Sequence, residues 1–110
     1  MPTAASIAAA VNAGTSARAA VEQSLAKAKA DTLNAVIRTY PERALAAAEA
    51  VDARIRRGEK LPLAGVPIAI KDNVAVAGEI CTDGSPAAPQ VPQIADHPVV
   101  ARLRAAGAVV

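Results

Sequence analysis

Leu61-Pro-Leu-Ala-Gly-Val-Pro-Ile-Ala-Ile-Lys-Asp-Asn-Val-Ala-Val-Ala-Gly78 is the stretch whose reading decides the fold. Within it the apolar run 66–70 ends abruptly on Lys71, Asp72 and Asn73. A short continuous apolar run bounded by proline and glycine has the character of a buried strand. Lys71 then falls where the strand leaves the core, with its amine held in a low-dielectric setting. Such a setting penalises the ammonium, lowers its pKa and makes the neutral amine a proton acceptor near neutral pH. The plainer alternative, a solvated lysine at a strand end, is the commoner arrangement.

Upstream, three helices are predicted. Residues 3–13 read as a short helix with Thr3 as N-cap, Gly14 as stop, and Ala4, Ile7, Ala8 and Val11 on one face. Thr15 or Ser16 caps a second, ending near Ala30, with an apolar stripe of Ala17, Val21, Leu25 and Ala28. The run Leu33-Asn-Ala-Val-Ile37 reads as a short strand or extended connection. Pro41 suits the first turn of a third helix that Gly58 ends, with Ala44, Leu45, Ala48, Val51 and Ile55 as its buried stripe. Arg54, Arg56 and Arg57 in its last turn complement the negative end of the helix dipole. That accounts for the basic cluster without a phosphate or tRNA contact.

Downstream, residues 79–95 are rich in Pro, Gly, Ser and Ala and have no periodicity. Asp83-Gly84 signals a turn, and Pro86, Pro89 and Pro92 keep the segment extended. Asp96 is the expected N-cap of a fourth helix, with Pro98 in its first turn and Val99, Val100, Leu103 and Ala106 on one face. Gly107 closes it, and Ala108-Val-Val110 begins another strand. Strand, loop, helix and strand make a crossover unit whose two strands share one mostly parallel sheet. The expected class is therefore α/β, in one domain. A helical leader (1–60) precedes the first strand–loop–helix–strand unit of a mostly parallel mixed sheet (61–110). A buried strand does not normally stop after three residues, so an N-terminal fragment of a longer chain is expected.

Composition narrows the function classes. Hydrophobic residues make up 53%, but much of this is alanine, and Tyr40 is the only aromatic side chain among Phe, Trp and Tyr. A core so built lacks the large aromatic contributions that usually dominate burial and is marginal alone. A net charge of +2 from 12 basic and 10 acidic residues is too weak to argue for nucleic acid or a membrane surface. One cysteine, Cys81, permits no intramolecular disulfide and no cysteine-rich metal site, which fits a reducing, cytoplasmic setting. No signal-peptide pattern and no apolar run of membrane-spanning length is present.

The string Leu-Ala-Gly-Val-Pro-Ile-Ala-Ile-Lys-Asp-Asn, with the Val-Ala-Gly after it, resembles the first signature block of the amidase signature family. These are serine hydrolases of amides, and they include the A subunit of glutamyl-tRNA amidotransferase. Asp96-His-Pro-Val-Val-Ala-Arg-Leu-Arg-Ala-Ala-Gly-Ala-Val-Val110 is similar to the helix and strand that follow that block in the family. The resemblance implies a Ser–cis-Ser–Lys triad of which Lys71 is the catalytic lysine. Both serines belong to a downstream Gly/Ser-rich segment that does not occur among these residues, so the 110 residues alone are expected to be inactive. It further implies a small-molecule amide substrate, no cofactor and no metal, and a free enzyme, a homodimer or an amidotransferase complex. The family's loop of Thr-Thr-small-Gly-Ser is here Cys81-Thr82-Asp83-Gly84-Ser85, with an acidic residue where a small one is usual.

Other candidates are weaker. Ser85 lies in Asp83-Gly-Ser-Pro86, which is no Gly-x-Ser-x-Gly elbow, and Pro86 disfavours a following amide as oxyanion donor. Cys81 and His97 have no motif that pairs them, and with Asp83 and Asp96 they match no common zinc spacing. Asp72 reads as a residue orienting Lys71 or the turn after the strand, because a direct ion pair would raise the lysine pKa and oppose its use as a base. Three functional alternatives stand: an amide hydrolase, the A subunit of a glutamyl-tRNA(Gln)/aspartyl-tRNA(Asn) amidotransferase, and a non-enzymatic interaction module or decayed remnant.

Overall fold

The computed structural model describes all 110 residues. It contains four helices, α1 (Ala4–Asn12), α2 (Ala17–Lys29), α3 (Pro41–Arg56) and α4 (Pro98–Ala105), and almost no strand. α1 starts on a capping box in which Thr3 Oγ1 accepts from the Ser6 amide and Ser6 Oγ accepts from the Thr3 amide. Ser16 caps α2, and Asp52 of α3 adds a carboxylate that accepts from the Ala17 amide at 2.7 Å and from Ser16 Oγ at 3.2 Å. A negative charge at that helix N-terminus is favourable, so one residue both caps α2 and ties it to α3. α3 begins with Pro41 at its first position, as predicted, and no side chain caps it.

The core lies where α1, α2 and α3 meet residues 61–66 and Val109. Val11, Ala17, Val21, Ala44, Ala48 and Val51 come from the helices, and Leu61, Ala64 and Val109 from outside them. The largest side chains in full burial are valines, Val11, Val21, Val100 and Val109. This small-residue core matches the aromatic-poor composition. α2 packs mainly on α3, with α1 against the same helix. At its C-terminal end α3 places Arg54 and Arg57 on Glu59, so two of the three clustered arginines are engaged within the turn.

The expected strand–loop–helix–strand unit is not formed as such. Residues 66–68 and 109 are joined by one isolated parallel bridge, Pro67 to Val109, and no strand is built on it. The Val109 amide donates to Val66 O at 2.9 Å and the Ile68 amide to Val109 O at 2.8 Å, which is the parallel pattern. The nitrogen of Pro67 faces away from Val109, so the bridge is compatible with a proline at that position. The run 33–37 is likewise not a strand. Its start is gathered into a turn by Asp31, whose carboxylate accepts from the amides of Leu33, Ala35 and Val36.

Two further expectations are corrected. His97, not Asp96, caps α4, its Nδ1 accepting from the Val99 amide at 3.1 Å. Asp96 instead accepts from the Ala77 amide and from Arg104 Nε, which anchors α4 to the signature stretch. Of the predicted α4 face, Val100 is fully buried while Val99 is exposed. The loop 79–95 doubles back on itself: Gly78 donates to Gln93 O, Gln93 donates to Glu79 O, and Ile80 bridges Pro92. Asp83 and Gly84 both take positive φ, 53° and 72°, at the expected turn.

Asn12 closes the structure around the signature stretch. Its amide nitrogen donates to Leu61 O at 2.8 Å and its amide oxygen accepts from Leu61 N at 3.0 Å, satisfying both backbone groups of a buried residue. Asn12→Ala is expected to cost about 1–3 kcal/mol of unfolding free energy, the range for stranding buried hydrogen-bonding groups. Urea unfolding of the two proteins measures it, and equal midpoints would show that water replaces the side chain.

Candidate active site

Lys71 stands at the end of the extended run, where the chain turns over residues 71–74 on a bond from the Val74 amide to Lys71 O of 3.0 Å. The structure places it on the surface rather than in a low-dielectric setting. Among these 110 residues Ile68 and Ile70 are half-buried and Ala69 is exposed. Its ammonium makes no hydrogen bond and no ion pair.

Asp72, the next residue, is the organising group of the site. Its Oδ1 accepts from Arg38 Nη2 at 2.7 Å and from the Thr82 amide at 3.2 Å, and its Oδ2 accepts from Thr82 Oγ1. Its backbone carbonyl accepts from the Asp83 amide at 2.7 Å and from the Cys81 thiol at 3.5 Å. The Thr82 hydroxyl is the main cause that holds the Asp72 carboxyl below its ordinary pKa; burial opposes it, and the Thr82 amide and Arg38 add to it. Arg38 also donates to Tyr40 Oη at 3.1 Å and to Ile80 O at 2.9 Å. The Tyr40 bond is the first cause of its raised pKa. The reading of Asp72 as an orienting residue therefore applies to the loop, and Asp72 forms no ion pair with Lys71.

Arg38, Tyr40 and Thr82 carry no sequence signal that marks them. Arg38 ends an apolar run and lies 34 positions from Asp72, and nothing local couples the two.

Lys71 and Asp72 lie along a groove of about 600 Å³ whose walls are mostly apolar, among them Leu25, Ile37, Ile70 and Val110. Arg38, Tyr40, Glu79 and Asp83 also line it. The chemistry available here is that of an unpaired amine beside an apolar groove, with its neighbouring carboxylate already occupied. The other candidates are engaged elsewhere. Ser85 is exposed and its hydroxyl accepts from the Ala87 amide. Cys81 gives its thiol proton to Asp72 O, and His97 gives its Nδ1 lone pair to the α4 cap. Cys81, His97, Asp83 and Asp96 are not gathered into a cluster with metal-ligand geometry. No helix is long and apolar enough to cross a membrane.

Comparison with known proteins follows the same stretch. The family model described as Amidase matches residues 19–110. The chain is 56% identical over 73 residues to the putative amidase AmiB2 of Mycobacterium tuberculosis (strain ATCC 25618 / H37Rv), covering 63% of this chain and 15% of that protein. It is 47% identical over 78 residues to the A subunit of the glutamyl-tRNA(Gln) amidotransferase of Geobacter sulfurreducens, covering 71% of this chain and 16% of that protein. One similar solved structure is an inhibitor-bound vestigial protein complex bearing on the origins of an s-triazine catabolic enzyme. It superimposes with a TM-score of 0.80 at 43% identity over 86% of this chain and 22% of that one. The chain thus spans about a sixth to a fifth of the length of these relatives.

Because the Asp72 carboxyl has a lower pKa folded than unfolded, its contribution to stability is complete above the unfolded value, about 3.9. It is lost as pH falls through the folded value. Asp31, held down chiefly by the Leu33 amide, adds a second contribution of the same sign. Melting temperatures between about pH 5 and about pH 2 should therefore fall less steeply in Asp72→Asn, with the Asp31 part retained. Parallel curves for the two proteins would show that Asp72 is not so linked.

Proposed function

The chain belongs to the amidase family, and on that premise we propose that Lys71 is the proton-accepting lysine of an amide-hydrolysing Ser–cis-Ser–Lys triad. The observation that carries the reading is the family match over residues 19–110, within which Lys71 ends the signature stretch. Asp72 is held by Arg38 and Thr82 and forms no ion pair with Lys71, whose amine is left free to meet other groups. Its place beside an apolar groove suits an amine that must act on a bound carboxamide.

In this scheme neutral Lys71 takes a proton through the bridging serine as the nucleophilic serine attacks the amide carbonyl carbon. Backbone amides near the nucleophile stabilise the oxyanion. The C–N bond breaks, the proton held on Lys71 returns through the relay to the leaving nitrogen, and water releases the acid from the acyl-enzyme. Both serines come from residues outside these 110. The described chain is then the N-terminal part of a single amidase domain, and in the whole domain residues 66–70 and 108–110 would be strands of a mostly parallel mixed sheet. The parallel hydrogen bonds through Val109 support that arrangement, as do the half-buried Ile70 and Val110 on the groove.

A second reading, the A subunit of a glutamyl-tRNA(Gln) amidotransferase, is favoured by the relative at 47% identity and would place the protein in a multi-subunit complex. Both readings share the triad. They part on whether the protein from its source purifies alone, or as a homodimer, or with other subunits.

The 110-residue chain by itself should release no ammonia from a simple carboxamide. In the protein as its source makes it, Lys71→Ala should lower kcat by about 10²- to 10⁴-fold with an unchanged circular dichroism spectrum, the scale of losing a general base. Near-normal turnover in that variant would overturn the role of Lys71.

A further inference from the structure

We propose that Thr82 is a positioning residue for the acyl end of the substrate: it fixes the loop wall of the groove beside Lys71, and so sets how tightly linear aliphatic carboxamides longer than acetamide are held. The proposal rests on the reading of Lys71 as the lysine of an amide-hydrolysing site.

Thr82 is the one buried polar side chain, 8% exposed, and each of its polar atoms is bonded. Its hydroxyl donates to Asp72 Oδ2 and its amide donates to Asp72 Oδ1 at 3.2 Å. Its Oγ1 accepts in turn from the Gly84 amide at 3.2 Å, and its carbonyl accepts from the Ser85 amide at 2.9 Å. Thr82 does not itself line the groove, but Ile80, Asp83 and Gly84 around it do. Because Asp72 follows Lys71 directly, this clamp also sets where that wall stands relative to the turn that carries the amine.

The wall depends on such an anchor. Asp83 holds a φ of 53° without being glycine, a conformation that persists only where the surroundings over-determine it. What surrounds it is the clamp: the Asp83 amide sits on Asp72 O and the Gly84 amide on Thr82 Oγ1. Arg38 ties the loop one step earlier, at Ile80 O. From Ser85 to Gln90 the bonds join loop residues only to one another, so that side supplies no anchor. Without the Thr82 hydroxyl, Asp83 and Gly84 are free to relax away from the groove. A long acyl chain then loses contacts that a short one never makes.

The test uses the protein as its source makes it, with ammonia release measured over the linear series from acetamide to hexanamide. Thr82→Val is nearly isosteric and removes only the hydroxyl. It should raise KM for hexanamide about 5- to 10-fold, with KM for acetamide and kcat for both within about twofold. Thr82→Ser, which keeps the hydroxyl, should restore the KM of the unaltered protein. A merely structural role would instead lower the folded fraction, which reduces apparent kcat and leaves KM alone. Unchanged KM along the series, or a rise independent of chain length, therefore overturns the proposal. Should Thr82→Val not fold, Thr82→Ala, which sets no methyl group against the carboxylate, decides by the same split. Failure of the underlying reading looks different, because Lys71→Ala would then keep its activity whatever Thr82 does.

Discussion

The structure depends on how closely residues 61–68 approach residues 106–109. Backbone meets backbone along this contact: Leu63 donates to Ala106 O, Gly65 to Gly107 O, Val109 to Val66 O and Ile68 to Val109 O. Two glycines allow close approaches, Gly107 to residues 61–64 and Gly65 of the same stretch to α2. Gly65 has φ +68°, and a Cβ there would sit 2.7 Å from the Cβ of Ala17; Gly107 has φ +96°, and a Cβ there would sit 2.9 Å from Leu61. Both positions combine a left-handed backbone with no room for a side chain, which is where glycine is required. Asn12 then holds Leu61 from the helical side. This contact brings the extended run, α4 and the three leading helices into one body, and so sets the direction in which residues 69–74 leave the core.

What leaves the core is organised by Asp72 rather than by burial. Thr82, a buried polar residue, gives it two hydrogen bonds, and Arg38 gives it a third. A carboxylate with several donors keeps its charge and fixes the loop that bears them. The Thr82 loop differs from the family pattern at Asp83, yet Asp83 is exposed at the turn tip and its amide still reaches Asp72 O. The acidic substitution is therefore accommodated by solvent rather than by the packing beside Lys71.

Local features are legible in the sequence and distant ones are not. Thr3, Ser16 and Pro41 at the starts of α1, α2 and α3, and the stripes Ala17/Val21 and Ala44/Ala48/Val51, follow from capping chemistry and 3.6-residue periodicity. The signature block points to the family and singles out Lys71. The exposure of Lys71 does not follow from its strand-like neighbours, because strand character places a residue in a core only when other elements cover both faces, and the 110 residues supply a single bridge to this run. Asp96 and His97 are adjacent residues that can both cap, and the choice between them is made by the competing bonds of Asp96 to Ala77 and Arg104. Arg38 and Thr82 meet Asp72 only through the tertiary fold, and no periodicity encodes such a pair.

The central claim is that Lys71 works with two serines that these 110 residues do not contain. The intact mass of the protein isolated from its native source tests it most directly. The account predicts a mass several times 11.0 kDa, with a Gly/Ser-rich segment in the additional sequence. A mass equal to 11.0 kDa would leave Lys71 without a triad and would contradict the account.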